Sequence, residues 1–183
     1  MEIIKTLIPE VIVLAPPAFS DSRGHFLETY QQKKYAELGI NLPFVQDNQS
    51  YSTKNVLRGL HFQLRYPQAK LVRVTQGIVF DVAVDIRRNS PTFGKWHGEI
   101  LSAENRKQMY VPENFAHGFC VLSDSAEFLY KCTDFYVPGD EAGLIWNDPQ
   151  LAIKWPTEVP ILSTKDAVLP QMADILDLLP TGE

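Results

Sequence analysis

The stretch that decides the fold is Lys70-Leu71-Val72-Arg73-Val74-Thr75-Gln76-Gly77-Ile78-Val79-Phe80-Asp81-Val82-Ala83-Val84-Asp85-Ile86. Val72 and Val74 alternate with polar neighbours, Gln76-Gly77 interrupts the run, and Ile78, Phe80, Val82, Val84 and Ile86 resume on even numbers. A period of two with β-branched residues is the signature of strands, since successive side chains point to opposite faces. The pattern predicts two strands joined by a tight glycine turn, with Asp81 and Asp85 on the face opposite the apolar one.

The same grammar extends outward. Gly118 to Phe135 reads as a second hairpin, turning at Ser123-Asp124-Ser125, with His117, Phe119 and Val121 sharing one face and Phe128, Tyr130 and Cys132 another. Val11–Leu14, Gly24–Thr29 and Gln46–Thr53 are further candidate strands. Only two stretches read as helix: Gln31–Leu38, stopped by Gly39, and Pro170–Leu179, bracketed by Pro170 and Pro180. Many short strands with few helices predict an all-β sandwich or jelly roll, with the C-terminal helix packed outside it. No repeat, low-complexity tract or linker interrupts the chain, so a single domain over residues 1–183 is expected.

Composition narrows the class. Hydrophobic residues make up 45% of the 183, enough for a core without metal or disulfide support. A net charge of −5 argues against a general nucleic-acid binder, yet leaves room for a local positive pocket. The two cysteines, Cys120 and Cys132, lack metal-ligand spacing and read as small buried side chains; a disulfide between them is not required. Lys5, Pro9 and Glu10 break the apolar N-terminus, no segment is apolar enough to span a bilayer, and a cytoplasmic protein without membrane contact is expected.

Polar residues inside strand-like runs are costly unless they face a cavity or a ligand. His61 lies in Leu57-Arg58-Gly59-Leu60-His61-Phe62-Gln63, where an extended chain puts Gly59, His61 and Gln63 on one face and Arg58, Leu60 and Phe62 on the other. Lys70 begins the decisive strand on its apolar face. His117 follows Val111-Pro112-Glu113-Asn114, where Asn114 tolerates positive φ and the turn would deliver His117 to a barrel mouth. Taken alone, Tyr130 reads as a core aromatic, His97 as a surface residue and Arg23 as a solvated loop arginine. Metal-binding barrels of the cupin type carry an HxH pair, but here the second position is Gln63, and His61 with His117 leaves a catalytic metal site incomplete. The expectation is a site without metal or other cofactor. No phosphate loop, dinucleotide fingerprint or nucleophile elbow is present. Histidine, tyrosine, lysine, arginine and carboxylate remain, which is equipment for proton transfer.

These residues, in order and spacing, resemble the dTDP-4-dehydrorhamnose 3,5-epimerase family over nearly the whole chain. The motifs are Phe19–Phe26 (FSDSRGHF), Gln46–Ser50 (QDNQS), Val56–Gln63 (VLRGLHFQ), Gln68–Arg73 (QAKLVR), Asp81–Arg87 (DVAVDIR), Ser90–Trp96 (SPTFGKW), Val111–Phe119 (VPENFAHGF), Glu127–Lys131 (EFLYK), Ile145–Pro149 (IWNDP) and Leu162–Asp166 (LSTKD). The resemblance implies a double-stranded β-helix, a cupin-like jelly roll with short peripheral helices, forming a homodimer. It implies His61 as general base with Asp166 as its carboxylate partner, Tyr130 as acid on the opposite ring face and Lys70 as the enolate-stabilising cation. Arg23, Phe26, Glu28, Gln46, Asn48, Arg58, His117, Glu141 and Lys165 are implied as substrate contacts, with Arg23 and Phe26 reaching a neighbouring subunit's pocket. Phe26 and Tyr136 are candidates to stack on thymine. The implied reaction inverts C3 and C5 of a dTDP-4-keto-6-deoxy sugar. Competing expectations are a relative inverting one carbon only, and a non-catalytic sugar-nucleotide barrel. Departures from the family pattern are Phe62 for Tyr, Cys132 for Thr and Asn114 for Gly.

Overall fold

The structure, a computed structural model, describes residues 1–182. Thirteen strands are formed among the described residues: β1 (Glu2–Ile4), β2 (Ile12–Ala15), β3 (Ala18–Asp21), β4 (Gly24–Leu27), β5 (Gln46–Thr53), β6 (Leu57–Gln63), β7 (Lys70–Gln76), β8 (Ile78–Asp85), β9 (Trp96–Ser102), β10 (Gln108–Val111), β11 (Phe115–Val121), β12 (Ser125–Cys132) and β13 (Glu141–Gly143). A short helix, α1 (Gln32–Ala36), follows β4, and Gly39 with φ +93° comes just after it. Six strands make one sheet in the order β1-β2-β10-β7-β12-β5, and five make another in the order β13-β6-β11-β8-β9. β3 and β4 form a separate ribbon.

Neither expected hairpin exists as such. β7 and β8 lie in different sheets, as do β11 and β12. The chain crosses the sandwich at Gly77, whose φ is +80° and where a Cβ would collide with the Ser125 carbonyl oxygen. The crossing also inverts the face reading. Before it, Val72 and Val74 point between the sheets; after it, Val79 and Ala83 do, with Leu101, Met109, Phe115, Phe119, Val121 and Phe128. The even residues Val82, Val84 and Ile86 instead pack outside the five-stranded sheet, under Leu144, Leu151, Met172 and Leu179. β8 and β11 are buried on both faces over nearly their whole length because a second layer covers them. We expect Gly77→Ala to cost about 2 kcal/mol or more, from positive-φ strain and the clash; urea unfolding with the midpoint unchanged would contradict this.

The C-terminal helix is also different from its expectation. Met172–Leu178 is 3-10, broken at Ile175 (φ −121°), although it packs on the outer face as anticipated. Asp148 explains the pinning: its carboxylate accepts from the Gln150, Leu151 and Met172 amides, holding the segment by its first residue. On the outer face of the other sheet, Tyr35 of α1 and Ile40 close a third cluster with Leu14, Leu71 and Tyr110. Cys120 and Cys132 are buried and unbridged.

His97 is buried rather than surface, at 8% exposure. It sits on β9 with the parity of Leu101, so it faces the interior. Its neighbour Trp96 points the other way and donates to the Leu151 carbonyl.

Candidate active site

A cavity of about 460 Å³ opens between the two sheets. Its floor is the edge of the core: Phe119 and Phe128, stacked at 4.1 Å. From the five-stranded wall come Arg58, His61, His117 and Glu141; from the six-stranded wall come Lys70 and Tyr130. A second space of about 260 Å³ shares His61, Lys70, Tyr130 and Glu141 and adds Gln46, Asn48 and Tyr136. His61 and Tyr130 therefore face one void from opposite walls.

Arg58 reaches the same cavity as His61, against the alternation expected of a regular strand. The register explains it: His117 pairs with His61, but Phe119 pairs with Arg58, an irregularity centred on Gly59. Gly59 has φ +116°, and a Cβ there would lie 2.6 Å from the His117 carbonyl oxygen. Only glycine permits this backbone approach, and the added residue swings Arg58 round. Its guanidinium then donates to Ser52 Oγ (3.0 Å) and the Tyr51 carbonyl (3.3 Å).

The remaining wall arrives from far along the chain. Ile161 bridges in parallel to Val56, with its amide on the Asn55 carbonyl and its own carbonyl accepting from Leu57. That tether lays Ser163, Lys165 and Asp166 along the cavity rim. Asp166 Oδ1 lies 2.6 Å from His61 Nε2, although the residues are 105 apart in sequence. Burial pushes the Asp166 carboxyl up, but the His61 hydrogen bond and charge, Ser163 and the Gly59 amide outweigh it and leave it below the usual carboxylate range. An ionised carboxylate only accepts, so His61 Nε2 carries the hydrogen and Nδ1 is left with the lone pair. Nδ1 is 3.7 Å from Glu141 Oε1. Glu141 is itself held by the Lys165 ammonium and by the Tyr136 hydroxyl.

The Lys70 ammonium makes no hydrogen bond or ion pair among the described residues, and burial lowers its pKa from the ordinary lysine value. Its ammonium lies 6.0 Å from the Tyr130 ring centroid. Burial raises the Tyr130 phenol, which keeps it protonated and able to donate. Gln63, which takes the place of the second histidine of an HxH pair, spends its amide on backbone: it donates to Tyr66 and Phe135 carbonyls and accepts from the Val137 amide. Its role here is to clamp two loops beside the cavity.

Three expected contacts stand apart. Arg23 and Phe26 lie on the β3–β4 ribbon, 88% (side chain) and 70% exposed, and Arg23 pairs with Asp21. Glu28 follows the ribbon and pairs with Lys34. None lines this cavity. Conversely, Ser50 and Ser163 line it with no sequence signal of their own, and Asp81 stands behind His117 at 2.9 Å. The sequence signal for Asp81 was present, a carboxylate inside an apolar run, but the parity change at Gly77 hid its direction.

The family model described as dTDP-4-dehydrorhamnose 3,5-epimerase matches residues 5–174. A dTDP-4-dehydrorhamnose 3,5-epimerase of Shigella flexneri is 57% identical over 168 residues, covering 91% of this chain and 93% of the relative. A dTDP-4-dehydrorhamnose 3-epimerase of Streptomyces niveus is 42% identical over 172 residues, covering 92% and 83%. The crystal structure of dTDP-6-deoxy-D-glucose-3,5-epimerase from Legionella pneumophila in complex with dTDP-4-keto-L-rhamnose superposes with a TM-score of 0.97 at 53% identity, covering 100% of this chain and 98% of that one. With sheets, cavity and dyad in place and a family model spanning nearly its length, the chain belongs to the dTDP-4-dehydrorhamnose 3,5-epimerase family.

Proposed function

We propose that this protein epimerises C3 and C5 of dTDP-4-dehydro-6-deoxy-D-glucose, giving dTDP-4-dehydro-L-rhamnose, by acid–base catalysis. The observation that carries the reading is the His61–Asp166 pair at 2.6 Å on one wall of a cavity whose other wall presents Tyr130 and Lys70. Both carbons are alpha to the C4 ketone, so their hydrogens are acidified. His61 Nδ1 takes one hydrogen, and Asp166 stabilises the imidazolium that results. The electron pair moves into an enolate whose oxygen carries the charge, and Lys70 supplies a cation there. Inversion requires the hydrogen to return on the other ring face, where Tyr130 donates. The route needs no metal, since a side-chain cation does the electrostatic work.

Arg58, His117 and Lys165 would meet the nucleotide sugar's negative charge, and Gln46, Asn48, Tyr136 and Glu141 the adjoining space. Arg23, Phe26 and Glu28 would serve a second copy: the exposed β3–β4 ribbon supports a homodimer in which each ribbon enters its neighbour's cavity. The chain would act as one catalytic domain over residues 1–183. Among the described residues no helix is long and apolar enough to cross a membrane, and a charged nucleotide-sugar substrate suits a cytoplasmic enzyme.

The test is incubation with substrate in D2O. Deuterium should enter at both C3 and C5; entry at one carbon alone would assign the single-carbon reaction of the 3-epimerase relative. Tyr130→Phe should slow inversion more than hydrogen exchange, because removal of the hydrogen does not use the phenol. Equal loss of both would reject its role as the acid.

A further inference from the structure

The five-stranded sheet carries three histidines in a single row on its inner face. His97 of β9 pairs with Ala83 of β8, Ala83 with His117 of β11, and His117 with His61 of β6. His61 and His117 reach the cavity. His97 does not, and neither of its ring nitrogens has a hydrogen-bond partner among the described residues. One row along, Asp81 is wholly buried; its Oδ1 meets His117 Nε2 at 2.9 Å, while its Oδ2 has no partner.

Unmet polar atoms this deep are expensive, so each needs a reason. The two lie on neighbouring strands of one face, one row apart, a diagonal separation of roughly 7–8 Å between backbones. Ala83, with only a methyl group, stands between the two imidazoles in the row. A water held by two to four polar groups is the usual occupant of such a polar gap. The other charged groups facing it form a closed pair: Glu99, the cross-strand partner of Asp81, receives Lys107 Nζ at 2.9 Å and lies 3.8 Å from His97 Nε2.

We propose that Asp81 and His97, joined by one buried water, are positioning residues that fix the His117 ring in the cavity wall. The inference rests on the reading that His117 contacts substrate. A ring held at Nε2 by a carboxylate presents Nδ1 to the cavity in one orientation. The carboxylate in turn stays in its rotamer because its second oxygen is tethered to β9. His97 touches no substrate; it acts through Asp81 and His117.

The test compares steady-state kinetics of His117→Asn, His97→Leu and His97→Gln with the natural protein, together with ¹⁵N signals of the histidine rings. His117→Asn should raise KM. His97→Leu, apolar and close in size, should raise KM about five-fold, the effect of one net hydrogen bond, with kcat within two-fold and the His117 ring signals displaced. His97→Gln, which keeps a donor and an acceptor, should restore both. An unchanged KM in His117→Asn would overturn the substrate-contact reading and this inference with it. A raised KM in His117→Asn with natural KM and ring signals in His97→Leu would overturn this inference alone. So would failure of His97→Gln to restore what His97→Leu loses.

Discussion

His61→Ala is expected to lower kcat on the order of 10³- to 10⁴-fold and to abolish deuterium entry at both C3 and C5, general-base catalysis being worth about 10² to 10⁴. One imidazole faces the void with Nδ1 free, and its other nitrogen is committed to Asp166. His117 is paired with Asp81 through Nε2 in the same way, but its side chain is only 8% exposed against 25% for His61, so His61 is the histidine open to substrate. Loss at both carbons follows because the same lone pair must serve each in turn. Retained exchange at either carbon would require another base and would reject the single-base scheme. The substitution also strips Asp166 of the partner that holds its carboxyl below the usual range. A depressed folded-state pKa contributes stability above the unfolded value and loses it as pH falls through the folded one. The variant should therefore lose stability at neutral pH and show a shallower acid-side decline.

Lys70→Met should produce the second large loss, about 10²- to 10³-fold in kcat, the usual cost of removing an electrostatic group aimed at developing charge. Methionine keeps the length and removes the ammonium, so KM should change little. Stability should move in the opposite direction to activity. Burial lowers the Lys70 pKa and outweighs the nearby charges of Glu141 and Asp81, and no described side chain forms an ion pair with its ammonium. Keeping that ammonium charged at neutral pH is therefore a cost to the fold that methionine does not bear. A raised melting temperature with a collapsed kcat would mark Lys70 as a group retained for chemistry. A kcat within three-fold of the natural value would reject it as the enolate's counter-charge.

Several features were readable from the chain because they depend on neighbours in sequence. The Gln46–Thr53 strand matches its expected limits, Asn114 takes positive φ (+62°), and Phe128, Tyr130 and Cys132 share a face. Others were not, and each failure has one source. Alternation points Arg58 away from His61 because it assumes a regular strand, whereas pairing with β11 inserts an irregularity at Gly59. Sequence places His97 at the surface because what buries it is distant in the chain: its strand pairs with β8 through Ala83, and its inner face meets the core between the two sheets. The C-terminal segment has helical periodicity, yet anchoring of Met172 by Asp148 and the kink at Ile175 leave it 3-10.

By itself the sequence determined the strand-rich class, the residue types for proton transfer and, through its motifs, the family, since these follow from local alternation and from the order of side chains. Tertiary structure alone decided which sheet each strand joins, which way Asp81 and Arg58 point, and that Asp166 meets His61 across 105 residues. The physical reason is that a period of two tells which side chains share a face, whereas the partner that face meets is chosen by long-range hydrogen bonding and burial, to which no short window of sequence has access.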